Sequence, residues 1–298
     1  MTKLKKIVLA SSLACVGFIS ANAIAADEPA SPHTLTANVG LYSQYVFRGL
    51  TQTNEEPALQ GGFDYAHSSG FYLGVWGSNV SWLKENATTG SNAVAGTYKS
   101  GGSLELDFYG GYKGAVGDFG YDVGLLQYYY PGDVLMATPS NPKANTLEAY
   151  IAGSWKWFTV KYSHALSNDV FANKDARGSS YLDFSASFPV GETGLTLGAH
   201  FGMQEFEGKD NRITVAAHNN DNLYSYEDWK LSATYDMGKV GKTFTGVTVG
   251  VAYTDTNGNA CGYGAFNQTR SISGASCTGV YPKNIADGQT TVWISKTF

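Results

Sequence analysis

Short segments in which apolar and polar residues alternate recur along this chain, and this pattern constrains the fold more than any other feature. In residues 195–203, for example, Leu, Leu, Ala, Phe and Met alternate with Thr, Gly, His and Gly. A repeat of two residues places successive side chains on opposite faces of an extended strand. Twelve such segments predict an all-β chain, an antiparallel transmembrane β-barrel with an apolar outside and a polar inside.

The connections between these segments alternate in length. They are short after the second, fourth, sixth, eighth and tenth segments and long after the third, fifth, seventh, ninth and eleventh, with an intermediate one over residues 49–57. Outer-membrane barrels have short periplasmic turns and long extracellular loops, so we expect the long connections outside the cell. The predicted strands are 35–48, 58–66, 71–80, 104–113, 119–129, 146–156, 158–165, 181–188, 195–203, 228–236, 246–253 and 290–298.

A soluble β-sandwich or small soluble barrel would show the same alternation. The two classes differ in the face that must be apolar. Twelve strands closed into one ring leave an interior too wide for ordinary apolar packing, so polar inward residues favour the membrane barrel. The soluble sandwich remains the structural alternative.

Residues 1–25 have the features of a cleaved export signal. Three lysines precede an apolar run over residues 7–19 and a small-x-small motif over residues 23–25. We therefore expect one barrel domain over residues 26–298. Loss of those lysines takes the formal net charge from −5 to −8, which disfavours a nucleic-acid partner.

Two cysteines remain after this cleavage, Cys261 and Cys277. An exported chain meets an oxidising compartment, so we expect them to form a disulfide within one long loop, with two free thiols as the alternative. Two thiols do not complete a tetrahedral metal shell, and the histidines are scattered, so we expect no metal and no cofactor. No G-x-S-x-G motif is present, and we expect no enzyme.

The polar faces of the predicted strands carry the candidate functional residues. Acids outnumber bases there, which indicates a mixed-charge lumen with a mild preference for cations. The alternative is that these charges pair across strands or line the rims. We expect Gln44, Arg48 and Asp64 to contribute to a constriction. The pore-lining candidates are Gln44, Arg48, Asp64, Glu105, Asp107, Lys113, Asp122, Glu148, Lys161, Asp183, Asp228 and Lys230.

Aromatic residues are frequent, with 20 Tyr, 15 Phe and 6 Trp, and would suit the interfacial girdles of a barrel. We expect the run Tyr128–Tyr130, at the end of a strand, to mark the membrane interface, with a sugar-stacking track as the alternative. The chain ends on an aromatic residue, Phe298, which resembles the assembly signal of outer-membrane proteins.

Several segments resemble the TorF family of porin-like proteins. The resemblance implies a proteobacterial, hence Gram-negative, outer-membrane barrel and implies no binding site. Residues 254–289 match least, and their role is open. The matching segments are SQYVFRGLTQT (43–53), PALQGGFDY (57–65), GVWGSNV (74–80), LELDFYGGY (104–112), YEDWK (226–230) and ISKTF (294–298).

The sequence thus predicts a channel in the cell outer membrane for passive diffusion of small hydrophilic solutes. Its expected partners are outer-membrane lipid, the barrel assembly machinery and those solutes. The alternative is a non-conducting barrel whose extracellular loops bind a ligand or partner. Neither the solute nor the oligomeric state is specified by the sequence.

Overall fold

The structure is a computed structural model that describes residues 31–83, 103–133, 142–209, 219–258, 260–263, 272–273, 276–277 and 284–298. Twelve of its strands form one closed antiparallel barrel. In chain order the strands are β1 (His33–Tyr42), β2 (Val46–Phe47), β3 (Leu50–Thr51), β4 (Ala58–His67), β5 (Phe71–Asn79), β6 (Leu104–Val116), β7 (Phe119–Tyr129), β8 (Thr146–Trp155), β9 (Phe158–Ala165), β10 (Ser180–Pro189), β11 (Leu195–Glu205), β12 (Tyr226–Asp236), β13 (Val247–Thr256), β14 (Ile272–Ser273), β15 (Ser276–Cys277) and β16 (Gln289–Thr297).

The barrel closes where the two ends of the chain meet. β1 pairs with β4 on one side and with β16 on the other. Beyond β16, the Phe298 N–H donates to the Ala37 carbonyl at 2.9 Å, and the Ala37 N–H donates to the Phe298 carbonyl at 3.4 Å. The predicted fold class, a twelve-stranded antiparallel β-barrel, is confirmed.

The alternation of side chains places apolar residues outside and polar ones inside. At mid-strand, Ile151 on β8 and Leu231 on β12 are each 57% exposed on the outer face. The inward residues Glu148 and Asp228 of the same strands are buried. An apolar band exposed around a whole barrel is what a lipid-facing surface requires. No helix among the described residues is long and apolar enough to cross a membrane.

The two ends of the barrel differ in their connections. Tight turns join β4 to β5, β6 to β7, β8 to β9 and β10 to β11, and two 3-10 turns, Met237–Lys239 and Lys242–Phe244, join β12 to β13. His33 and Phe298 also lie at this short-turn end, since both pair near these turns. The opposite, long-loop end includes a short helix, Asn220–Tyr224, and a second, Ala260–Tyr263.

The prediction that the first strand continues to Arg48 is wrong. β1 ends at Tyr42, and residues 43–57 turn into the barrel as a hairpin made by β2 and β3, which we call the lumen hairpin. Arg48 and Gly49 both have positive φ, 45° and 81°, as a two-residue hairpin turn of type I′ requires. Phe47, which the alternation placed toward lipid, packs inside the barrel against Tyr128.

The interior is also less polar than the sequence predicts. A buried aromatic cluster fills the part of the barrel next to the lumen hairpin and includes Tyr42, Tyr45, Trp76 and Trp293. The lumen hairpin supplies apolar surface inside a ring too wide to fill from its walls alone, so these side chains can pack against it.

The tyrosine run at the end of β7 divides between the two faces. Tyr128 and Tyr130 are buried inside the barrel, and Tyr129 is exposed outside. The expectation that all three mark the membrane interface is therefore wrong for two of them, because consecutive residues on a strand point to opposite faces.

Two sequence predictions are not tested by the described part of the chain. The side chains of Cys261 and Cys277 are not described, so the disulfide remains a prediction. The export signal over residues 1–25 likewise lies outside the described ranges.

Candidate functional site: a hairpin across the barrel lumen

The base of the lumen hairpin is attached to two separate walls of the barrel. The Gln44 side-chain amide donates to Gln289 Oε1 at 3.2 Å and to the Thr290 carbonyl at 3.0 Å, both at β16. The Tyr45 hydroxyl donates to Glu105 Oε1 on β6 at 2.8 Å. These bonds hold the entry of the hairpin between β16 and β6.

The tip of the lumen hairpin places Arg48 among side chains of β8, β10 and β11. Its guanidinium donates to both carboxylate oxygens of Glu148, at 3.0 and 2.8 Å, and to Gln204 Oε1 at 2.9 Å. The Arg48 Cζ also lies 4.2 Å from the centre of the Tyr181 ring, a cation–π contact. Burial by itself lowers the pKa of Arg48, but the Glu148 carboxylate, together with Tyr128 and Tyr181, raises that pKa above its ordinary value.

Close backbone approach completes the docking of the tip. The Tyr226 hydroxyl donates to the Arg48 carbonyl at 2.7 Å. A Cβ on Gly49 would overlap Thr256 Cγ2 and lie 2.7 Å from Asp228 Cβ, so this position has no room for a side chain. The lumen hairpin therefore reaches from β6 and β16 to β8 and β12, across the interior of the barrel.

Below the tip, His200 bridges two carboxylates. Its Nδ1 lies 3.1 Å from Asp183 Oδ2, and its Nε2 lies 2.9 Å from Asp228 Oδ1. The Tyr181 hydroxyl donates to Asp228 Oδ2 at 2.7 Å, and the Ser185 hydroxyl donates to Asp183 Oδ1 at 2.5 Å. Both ring nitrogens can donate to carboxylates only in the doubly protonated ring, so this geometry fits a charged His200.

Sequence reasoning assigned no site role to His200. It occupies the polar face of a well-predicted strand, but its partners lie on other strands. The bond to Asp228 joins β11 to β12, and the bond to Asp183 joins β11 to β10. Only the register of β11 against β10 and β12 would have shown that His200 lies beside Asp183 and Asp228.

A cavity of about 170 Å³ lies between the lumen hairpin and the barrel wall. Charged side chains of both signs line it, including Asp107, Lys161 and Lys230, together with the stacked rings of Tyr42 and Trp293. The cavity is thus lined by both charged and aromatic side chains.

The sequence-predicted residues fall into two groups. One group borders the lumen hairpin or its cavity: Gln44, Arg48, Glu105, Asp107, Glu148, Lys161, Asp183, Asp228 and Lys230. The other three, Asp64, Lys113 and Asp122, lie nearer the short-turn end.

Tyrosines are the neighbours of this second group. The Tyr109 hydroxyl donates to Asp64, the Tyr72 hydroxyl donates to Asp122, and the Lys113 ammonium lies 5.1 Å from the Tyr72 ring centre. The expectation that Asp64 joins Gln44 and Arg48 in one constriction is wrong. Asp64 lies farther along β4, toward the short-turn end and away from the lumen hairpin. Within the described ranges, no three His, Cys, Asp or Glu side chains come together in a way that could hold a metal ion.

Fold and site together define a barrel of the membrane-spanning type whose lumen is crossed by an inserted hairpin. The chain belongs to the family described as "Bacterial protein of unknown function (Gcw_chp)", whose model matches residues 26–283. The narrower TorF assignment stays a prediction. No curated protein matches the chain.

Several solved porin structures resemble the barrel at low identity. The KdgM porin matches with a TM-score of 0.48 and 8% identity, covering 88% of this chain and 99% of that chain. The NanC porin matches with a TM-score of 0.46 and 11% identity, covering 89% and 99%. Salmonella typhi OmpF, in a complex with daunomycin, matches with a TM-score of 0.38 and 11% identity, covering 89% and 97%. No solute of these porins is assigned to this chain.

Proposed function

We propose that this protein is an outer-membrane, porin-like channel for passive diffusion of small hydrophilic solutes, with the lumen hairpin as its constriction. One observation carries the proposal. A closed barrel exposes apolar side chains to the outside and charged side chains to an interior that a single hairpin crosses. The predicted export signal and the TorF-like segments support an outer-membrane location, with lipid and the barrel assembly machinery as partners.

Selectivity in this proposal is weak and favours cations. Acids outnumber bases among the inward candidates, but several of the charges compensate one another. Arg48 pairs with Glu148, and His200 bridges Asp183 and Asp228. Paired charges have a weak field at a distance, and mobile ions screen what remains.

Planar-bilayer recording of the purified full-length mature protein tests the proposal. We expect ion conductance and a reversal potential that indicates weak cation preference under a salt gradient. The preference should fall as salt rises, because the Debye length drops from about 10 Å at 0.1 M to about 3 Å at 1 M. Glu105→Gln should weaken this preference, and the matched change Glu207→Gln, at an exposed loop residue, should not. Absence of conductance from a folded barrel contradicts the channel, and anion preference contradicts the charge argument.

One observation favours the second candidate, a non-conducting barrel whose loops bind a ligand or partner. A second buried cluster packs the long-loop end and includes Val170, Phe206, Leu223 and Ile285. The same recording separates the two functions. A folded barrel that stays silent, and that begins to conduct when the lumen hairpin is released, would favour the binding role.

A further inference from the structure

We propose that the cavity beneath the lumen hairpin is a binding site for a small zwitterion, with its ammonium group at Asp107 and its carboxylate at Lys161. The proposal deepens the proposed function by naming a class of solute. It rests on that function in one respect: the solute enters the cavity through the lumen.

Asp107 is the first observation. Its side chain is on the inward face of β6, lines the cavity and is only 5% exposed. Its Oδ1 is buried and accepts no hydrogen bond from any described residue. Leaving a buried acceptor unsatisfied is costly, and the cost is larger for a charged group. An N–H donor in the cavity would satisfy this oxygen.

The other carboxylates near the lumen hairpin already have partners. Glu105 accepts from Tyr45, Glu148 from Arg48, and Asp183 and Asp228 from His200. Asp107 therefore differs from its neighbours in lacking a bonded donor among the described residues. Gln44 adds a second buried acceptor on the same cavity, since its Oε1 is also without a donor there.

Lys161 is the complementary observation. It lies on β9, lines the same cavity and is 8% exposed. Its ammonium is 4.1 Å from the centre of the Tyr150 ring, and it forms no hydrogen bond or ion pair with the described residues. An ammonium has three donors, and the face of a ring satisfies them only in part. A ligand carboxylate would pair with it. Lys230, less buried, lines the margin of the cavity.

The size of the cavity limits the ligand. An engineered protein cavity of about 150 Å³ holds benzene. A cavity of about 170 Å³ therefore suits a small amino acid or betaine rather than an oligosaccharide. The stacked Tyr42 and Trp293 rings offer an apolar and cation-attracting wall for the carbon skeleton beside the ammonium.

Three ligands of similar shape test the proposal: L-proline, pyrrolidine, which lacks the carboxylate, and cyclopentanecarboxylate, which lacks the ammonium. Titration calorimetry uses the full-length mature barrel in detergent micelles, with folding checked by heat-modifiable gel mobility. We expect L-proline to bind at least about tenfold more tightly than either analogue, because each analogue leaves one buried charge unpaired.

Variants then assign each charge. Asp107→Asn should weaken L-proline binding about tenfold and leave cyclopentanecarboxylate unchanged. Lys161→Gln should weaken L-proline binding about tenfold and leave pyrrolidine unchanged. Because each variant tests one end of the ligand, either one suffices if the other does not fold. Asp64→Asn, at a lumen carboxylate near the short-turn end, should leave all three affinities unchanged.

Each contrary result has a definite meaning. Equal affinity for L-proline and cyclopentanecarboxylate would make the site an anion site and overturn the proposal. Equal affinity for L-proline and pyrrolidine would make it a cation site and overturn the proposal as well. No binding of any ligand to the folded barrel also overturns it. Bilayer conductance without ligand reports separately on the channel, so a conducting barrel that binds no zwitterion refutes only this inference.

Discussion

At the scale of single residues, the Arg48 guanidinium meets a carboxylate, an amide oxygen and an aromatic ring inside the barrel. Its two-pronged bond to Glu148 is nearly buried, with side-chain exposures of 7% for Arg48 and 4% for Glu148. Removing one partner of a buried ion pair typically costs about 3–5 kcal/mol, because the other charge stays buried without compensation. We call this pair the latch of the lumen hairpin, because it joins the tip of the hairpin to β8 in addition to the bonds at its base.

The first prediction follows from this latch. Arg48→Met and Glu148→Gln should each release the lumen hairpin and raise single-channel conductance, and the double variant should cost less stability than the sum of the single variants. The measurements are bilayer recording and urea unfolding of the folded barrel, combined in a double-mutant cycle. Arg177→Met, the same change at an exposed loop arginine, is the control. Unchanged conductance in both single variants would contradict the latch.

At the scale of elements, the turn of the lumen hairpin depends on Gly49. Its φ of +81° lies in the left-handed region, and any Cβ there would overlap Thr256. A side chain at this position meets both backbone strain and a steric clash, whereas one at Gly117 meets only backbone strain.

The second prediction separates these two effects. Gly49→Ala should release the lumen hairpin and raise conductance, because strain of about 1–3 kcal/mol adds to the overlap. Gly117→Ala, in the turn between β6 and β7, is the matched control. Its φ is +62°, but a Cβ there would meet nothing within 4 Å. If the two variants change conductance equally, the close contact of Gly49 with the barrel wall has no role.

The third prediction concerns the two faces of one strand. Leu231 and Ser232 are neighbours at the middle of β12, the first exposed outside and the second facing the lumen. Leu231→Arg should destabilise the barrel in bilayers by about 2–4 kcal/mol, the cost of an arginine facing lipid at the midplane. Ser232→Arg should mainly change conductance. Folding titrations in lipid vesicles measure the difference, and the reverse order would mean that the register of β12 is shifted by one residue.

At the scale of the whole molecule, Phe298 takes part in the closure of the barrel. Phe298 exchanges two backbone hydrogen bonds with Ala37 of β1, so the final residue contributes to the seam between the first and last strands. Its side chain is exposed at the short-turn end, where the Lys296 ammonium lies 5.2 Å from the ring centre.

The fourth prediction tests this seam. Deletion of Phe298 should lower the fraction of barrel assembled in the membrane, measured by surface abundance and heat-modifiable mobility. Phe298→Leu keeps the backbone hydrogen bonds and removes the aromatic ring. If the substitution is as harmful as the deletion, the ring itself is the assembly signal. If only the deletion is harmful, the seam accounts for the effect, and if neither is harmful the prediction is wrong.

Strand positions were predictable from the sequence because a period of two is a local property. β7 and β9 occupy the predicted ranges, and the other barrel strands apart from β1 differ by a few residues at their ends. The outer face was predictable for the same reason, since lipid imposes one chemical requirement on every outward position.

Only the tertiary structure decided what occupies the lumen. In residues 43–48 only Ser43 and Val46 depart from the alternation of β1, so the local pattern does not show that the chain turns inward after Tyr42. The turn is stabilised by Glu148 and Gln204, which lie 100 and 156 residues beyond Arg48 in the chain. The sequence by itself determined the alternating strands and the two faces of the barrel, because each depends on neighbouring residues. The hairpin across the lumen and its latch depend on side chains that only closure of the barrel brings together. The same holds for the cavity charges that have no bonded partner among the described residues.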